Sequence, residues 1–205
     1  KVPSFIGENM YGIYDGSKVI ARLVAPISLV SNVPCFMKDS ISLKRDIGSR
    51  AAQRWELTSN LEPLSVDAND LFVELVSRGP SSPFKIMIPQ NIGVIRKRVL
   101  DTDTCYASGV LNSNQLTIST SGFLPKGTLL KVSGHNKLYM TLTDRDGSGV
   151  VNIYPQLRAS FTNNILYWQD DVLLEMYADT DMIRGMSFTD GILMDNGAIK
   201  FVEAL

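Results

Sequence analysis

The sequence predicts a mainly β protein with one α-helix, laid out as a first domain interrupted by a small inserted barrel. Three observations predict it. Residues 53–79, "QRWELTSNLEPLSVDANDLFVELVSRG", pass from a period of two into a period of three and four. From about residue 99 onward, short apolar runs recur between turn signals. The tail "MSFTDGILMDNGAIKFVEAL" then changes character again, as a hairpin and closing strand returning to the first domain.

Taken in chain order, "YGIYDGSKVIARLV" reads as a hairpin of Tyr11–Tyr14 and Val19–Val24 about the "DGSK" turn. "SISLKRDIGSRAAQRWELTSNL" at 40–61 reads as a long hairpin, with Ile41 and Leu43 on one arm and a loop around Gly48. Lys44, Arg45, Asp46 and Arg50 give it a charged tip. On its second arm Trp55, Leu57 and Leu61 share a face with Ser59, while Arg54, Glu56, Thr58 and Asn60 take the wet face. Pro63 lacks the N–H needed to extend the ladder.

A helix over 66–77 follows, with Ser65 as N-cap and Asp67 and Asp70 near the positive end of the helix dipole. Ala68, Leu71, Phe72, Leu75 and Val76 form its apolar stripe, and Gly79-Pro80 ends it. "FKIMIP" at 84–89 reads as a buried strand.

The inserted unit, residues 90–177, holds strand-like runs at "ASGVL", "QLTISTSG", "TLLKVSG", "KLYMTLTD", "GVVNIYPQL" and "DVLLEMYA". "NSN", "PKG", "GHNK" and "DRDGSG" separate them. Five or six short strands at this spacing suit a small barrel or sandwich, OB-like being the best match. The first domain is then 1–89 plus 178–205.

Composition narrows function. The 205 residues are 44% hydrophobic, enough for a core, with a formal net charge of -1 that calls for no polyanionic partner. No apolar run spans a bilayer, so membrane insertion is not expected. No basic-then-apolar leader precedes the fold, so no secretory signal is expected. Cys35 and Cys105 lie outside any CxxC pattern and read as small apolar side chains in a reducing compartment.

Each candidate for chemistry has a plainer reading. His135 is the sole histidine and lies in the turn "SGHNKLY", without a serine or cysteine nucleophile motif, so it reads as an exposed turn residue. Asp144, Asp146 and Gly147 begin like a calcium loop, but strand residues Val150–Ile153 follow where further ligands belong. "IRKR" at 95–98 sits in a unit with eight Lys/Arg against seven Asp/Glu over residues 88–177, and reads as a solvated linker. Trp168 beside Asp170 and Asp171 could form a sugar platform, but a turn before the strand "VLLEMY" is the favoured reading. No phosphate-binding glycine motif is present. No catalytic, cofactor or metal residue is therefore assigned, and the protein is read as not an enzyme.

"QRWELTSNLEPLSVDANDLFVELVSRGPSSPFKIMIP" resembles a pattern of phage tail proteins: a Trp-bearing strand, a proline break, a helix, then Gly and an apolar strand ending in Pro. "GFLPKGTLLKVSGHNKLYMTLTDRDGSGVVNIYPQLR" and the closing "FVEAL" resemble the downstream part of the same proteins. The family is the distal tail protein (Dit) of siphophages. The resemblance implies a β-sandwich first domain with a helix and long hairpin, closing into a hexameric ring. It also implies an OB-like domain outside the ring. Such a ring joins the tail tube protein to the tip or baseplate hub protein, with DNA only as passing cargo. The location implied is the virion, after synthesis in the host cytoplasm. An alternative function is a carbohydrate- or receptor-binding module acting on a surface glycan through the OB-like domain.

The residues themselves agree with self-assembly. A long hairpin is a sheet edge awaiting a partner, and head-to-tail contacts between copies close into rings when the rotation fits. The expected subunit interface is Arg54, Glu56 and Thr58 on the hairpin's outer face, with Arg45 and Arg50 at its tip.

Overall fold

A computed structural model describes residues 11–16, 18–39, 45–49, 52–63, 69–78, 81–90, 104–168, 172–179, 187–189, 192–195 and 198–204. The chain is mainly β with one short helix, and its sheets close into two six-stranded antiparallel barrels.

The first barrel uses β1 (Gly12–Asp15), β2 (Lys18–Asn32), β5 (Arg54–Pro63), β6 (Phe84–Met87), β15 (Leu173–Ala178) and β18 (Ala198–Glu203). Its strand order is β1-β2-β5-β18-β15-β6, and β1 pairs with β6 to complete the circle. This corrects the implied sandwich. The Ile13–Ile86 and Tyr14–Lys85 pairs join what would otherwise be two open edges, so one sheet folds onto itself instead of two sheets stacking. Ile13, Leu57, Phe84, Ile86, Leu174, Met176 and Phe201 fill its interior.

The predicted hairpin at the start is β1–β2, with Asp15 opposite Lys18 and Gly16 at a φ of 60° in the turn. The predicted dry face of β5 also holds, since Trp55, Leu57, Ser59 and Leu61 are all buried. Its partners are β18 and β2, the latter from Ala21 opposite Pro63 to Asn32 opposite Arg54; Ile41 and Leu43, on the predicted other arm, lie outside the described residues. Beyond Asn32 the two chains continue as a second ribbon, β3 (Cys35–Asp39) against β4 (Arg45–Ser49). Gly48 is paired with Phe36 inside this ribbon, so the predicted loop there is corrected to a strand. Arg45 and Asp46 likewise belong to β4, opposite Asp39 and Lys38.

The helix α1 spans Asn69–Arg78. Its predicted cap Ser65, the residues Asp67 and Ala68, and Gly79-Pro80 lie outside the described residues. Leu75 is buried, as the stripe requires, but Val76 is 59% exposed, which narrows the stripe. Arg78 ties the helix end to Glu74 and lies 5.5 Å from the ring centre of Phe84.

The second barrel comprises β7 (Tyr106–Gly109), β8 (Gln115–Ser119), β10 (Leu129–Val132), β11 (Leu138–Thr141), β13 (Gly149–Tyr154) and β14 (Phe161–Tyr167), in the order β10-β11-β13-β8-β7-β14. All six fall between β6 and β15 in sequence. "DVLLEMYA" becomes β15 of the first barrel, paired with β6 and β18, although the sequence reading set it in the inserted unit. The sixth strand is instead β14, in "FTNNILY", where Asn163 at a φ of 55° breaks the register. Short ribbons join β9 (Phe123–Leu124) to β12 (Arg145–Asp146), and β16 (Ser187–Thr189) to β17 (Ile192–Asp195). Leu116, Ile118, Leu130, Val132, Tyr139, Val151 and Ile153 make the second core.

Candidate functional site

The densest polar arrangement joins the two barrels. It begins with a sheet surface. Leu129 and Leu138, on β10 and β11, belong to the first barrel's apolar cluster, with Met140 and Tyr154 packed against it. Trp55 meets Tyr154 edge to face at 6.2 Å, and its indole N–H donates to the Leu138 carbonyl at 2.8 Å. Tyr154 and Ser31 share a hydrogen bond of 2.8 Å between their hydroxyls.

Glu203, at the end of β18, lies at the centre. Its carboxylate accepts from the Trp55 amide at 3.0 Å and the Leu138 amide at 2.8 Å. It also pairs with Lys137, and both side chains have no exposed surface. The Lys137 ammonium donates in addition to the Gln53 carbonyl at 3.0 Å, and Arg158 donates to the same oxygen at 2.6 Å. Burial pulls the Lys137 amine below its ordinary range; Glu203 opposes that shift and Arg158 adds to it.

Two side-chain amides then imitate strands. Asn136 accepts from the Glu175 amide and donates to the Glu175 carbonyl, both at 2.9 Å, and donates also to Ala204. Gln90 accepts from the Leu129 amide at 3.0 Å and donates to its carbonyl at 2.6 Å. Each engages a backbone N–H and C=O together, as a neighbouring strand would, although the Glu175 carbonyl also accepts from the Ala204 amide at 3.0 Å. Lys131 adds a bond of 2.8 Å to the Leu173 carbonyl.

The residues predicted for a subunit interface fall into separate places. Arg54 lies 3.1 Å from Glu56, and Glu56 is also held by Asn32 at 2.7 Å and Lys200 at 2.9 Å. Glu56 is therefore buried, not wet. Burial alone raises its carboxyl; the Asn32 bond, Lys200 and Arg54 together outweigh that and hold it below the ordinary value. Thr58 is half-buried between Ser28 of β2 and Lys200 of β18, so β5 is an inner strand of the barrel wall. Arg45 sits at the far end of the β3–β4 ribbon, and Arg50 lies outside the described residues.

The chemical candidates resolve differently. His135 is half-buried, not exposed: its Nε2 meets the Tyr139 hydroxyl at 2.8 Å and the rings stack. Burial lowers its pKa, with Lys137, Arg158 and Lys131 adding to the shift. Burial pushes the Tyr139 phenol up to about 12. Asp144 accepts from the Lys126 amide at 2.7 Å, and Asp146 pairs with Phe123 in the β9–β12 ribbon. Among the described residues no group of His, Cys, Asp and Glu converges to hold a metal ion. Trp168 is 3% exposed within the second core, so it offers no sugar platform; Asp170, Asp171 and the 95–98 run lie outside the described residues. Cys105 is buried as expected, whereas Cys35 is exposed. Among the described residues no helix is long and apolar enough to cross a membrane.

Sequence reasoning missed the joint. A signal was there for Glu203, which falls in phase with the buried Ile199 and Phe201 of β18. A carboxylate on that face requires a buried partner. No protein-family model matches the chain, and no curated protein matches it.

Proposed function

We propose that the chain is a structural subunit of a siphophage tail, a distal tail hub protein that closes into a hexameric ring between the tail tube and the host-facing tip. DNA passes through as cargo and the protein resides in the virion. In this reading the second barrel is OB-like, with six strands where that type has five, and stands on the outside of the ring.

The observation that carries the reading is the β3–β4 ribbon. Both barrels close on themselves and leave no free edge in their walls. Among the described residues β3 and β4 pair only with each other. A two-stranded ribbon is marginal alone in water, and a second copy of the chain would cover it. The polar joint between the barrels supports a rigid building part better than a reacting site.

The test replaces residues 36–48 by Asn-Gly, which closes Cys35 onto Ser49 and spares both barrels. Negative-stain images at high protein concentration should show rings for the natural chain and none for the shortened one. Rings that survive the shortening refute the ribbon contact. A natural chain that forms no ring, alone or on tail tubes, refutes the function. Charge reversal at Arg54 is a poorer test, because a glutamate there would face Glu56 within one subunit.

A further inference from the structure

We propose that the Glu203–Lys137 contact is a latch: it holds two separately closed barrels in one orientation, and its loss lets the second barrel swing away with both folds intact. The inference stands apart from ring formation.

Three observations carry it. No strand is shared between the barrels, and each closes around an apolar cluster, the first of which also takes in Leu129 and Leu138 of the second barrel. In the order of the described strands the chain passes between them twice, from β6 to β7 and from β14 to β15. Either barrel therefore keeps its ladder when the other moves. At the joint, Glu203 gathers donors from both sides, the Trp55 amide from the first barrel and the Leu138 amide and Lys137 ammonium from the second.

The remaining contacts are of two other kinds: apolar packing of Leu129, Leu138, Met140 and Tyr154 against the first core, which opposes opening, and hydrogen bonds without an ion pair. When the joint parts, water can replace the bonds of Asn136, Gln90 and Arg158, since each links a side chain to a backbone group that solvent also serves. The ion pair cannot be half removed. Without the carboxylate's charge, a cation with no exposed surface is left with neutral acceptors such as the Gln53 carbonyl, and opening the joint is its route to hydration.

The test compares Glu203→Gln with the natural chain and with the double variant Lys137→Met/Glu203→Gln, which differs from the first only in lacking the cation, at pH 6 to keep the ammonium charged. Three readouts are used: small-angle scattering, tryptophan emission and far-UV circular dichroism. Trp168 stays within the second core as long as that barrel is folded, so a change in emission reports on Trp55 at the joint. E203Q should give a longer maximum dimension and a red-shifted emission with its β signal kept. The double variant, which keeps an acceptor at position 203 and leaves no orphaned charge, should stay closed like the natural chain. Unchanged scattering and emission in E203Q overturn the latch. So does loss of the β signal, which would make the joint part of one indivisible core. A double variant as open as E203Q overturns it too, by showing that charge was not what held the joint.

Discussion

Replacing Gln90 by leucine isolates one piece of the joint. Gln90 is 6% exposed and Leu129 is 7% exposed, so water has little access to either. β14 pairs with β10 at Lys131 and Val132, and the Gln90 amide takes over at Leu129. Leucine fills a similar volume but leaves the Leu129 N–H and C=O without partners. Each buried orphan costs about 1–3 kcal/mol. The new apolar side chain returns roughly 1–2 kcal/mol through its own burial. The net loss is then about 3 kcal/mol, or a fall of about 6–12 °C in Tm for a chain of this size. Urea unfolding followed by circular dichroism and fluorescence measures it, with an unchanged slope required for a stability reading. Gln90→Asn, too short to reach both groups, should lose a similar amount. A loss below about 1 kcal/mol in Q90L would refute the idea that this amide continues the ladder.

His135 gives a prediction with a sign. Its folded pKa lies below 6.5, chiefly through burial, so the unfolded chain takes up the proton first. Stability is therefore full above pH 6.5 and declines as pH falls toward the folded midpoint. As the only histidine, its ring protons report that midpoint directly by NMR, and a value at or above 6.5 contradicts the burial described. Gly149 has a φ of 144° and an added Cβ would lie 2.0 Å from the Arg145 guanidinium, so Gly149→Ala should destabilise by about 1–3 kcal/mol in thermal unfolding.

What the residues made legible was local. The burial of Trp55, Leu57, Ser59 and Leu61 follows from alternation, because a barrel wall has one wet and one dry face just as a sandwich sheet does. That same fact hid closure: β1 with β6 is a long-range pairing that alternation cannot reveal. "FTNNILY" escaped notice because its asparagines, one in a left-handed turn, interrupt the pattern. β11 escaped a one-sided reading because Lys137, Leu138 and Tyr139 are all buried, one face on each core. The joint was the least visible part. "GHNK" does form a turn, yet Asn136 and Lys137 there serve partners 39 and 66 positions away, and no local rule encodes such partners.

The nesting of one barrel within the other also decides how the molecule bears force. β1 and β18 both belong to the first barrel, so tension applied between these two strands is carried by its ladder and bypasses the second. A pull directed outward from β18 falls first on Glu203 and Ala204, the residues that grip the neighbouring barrel.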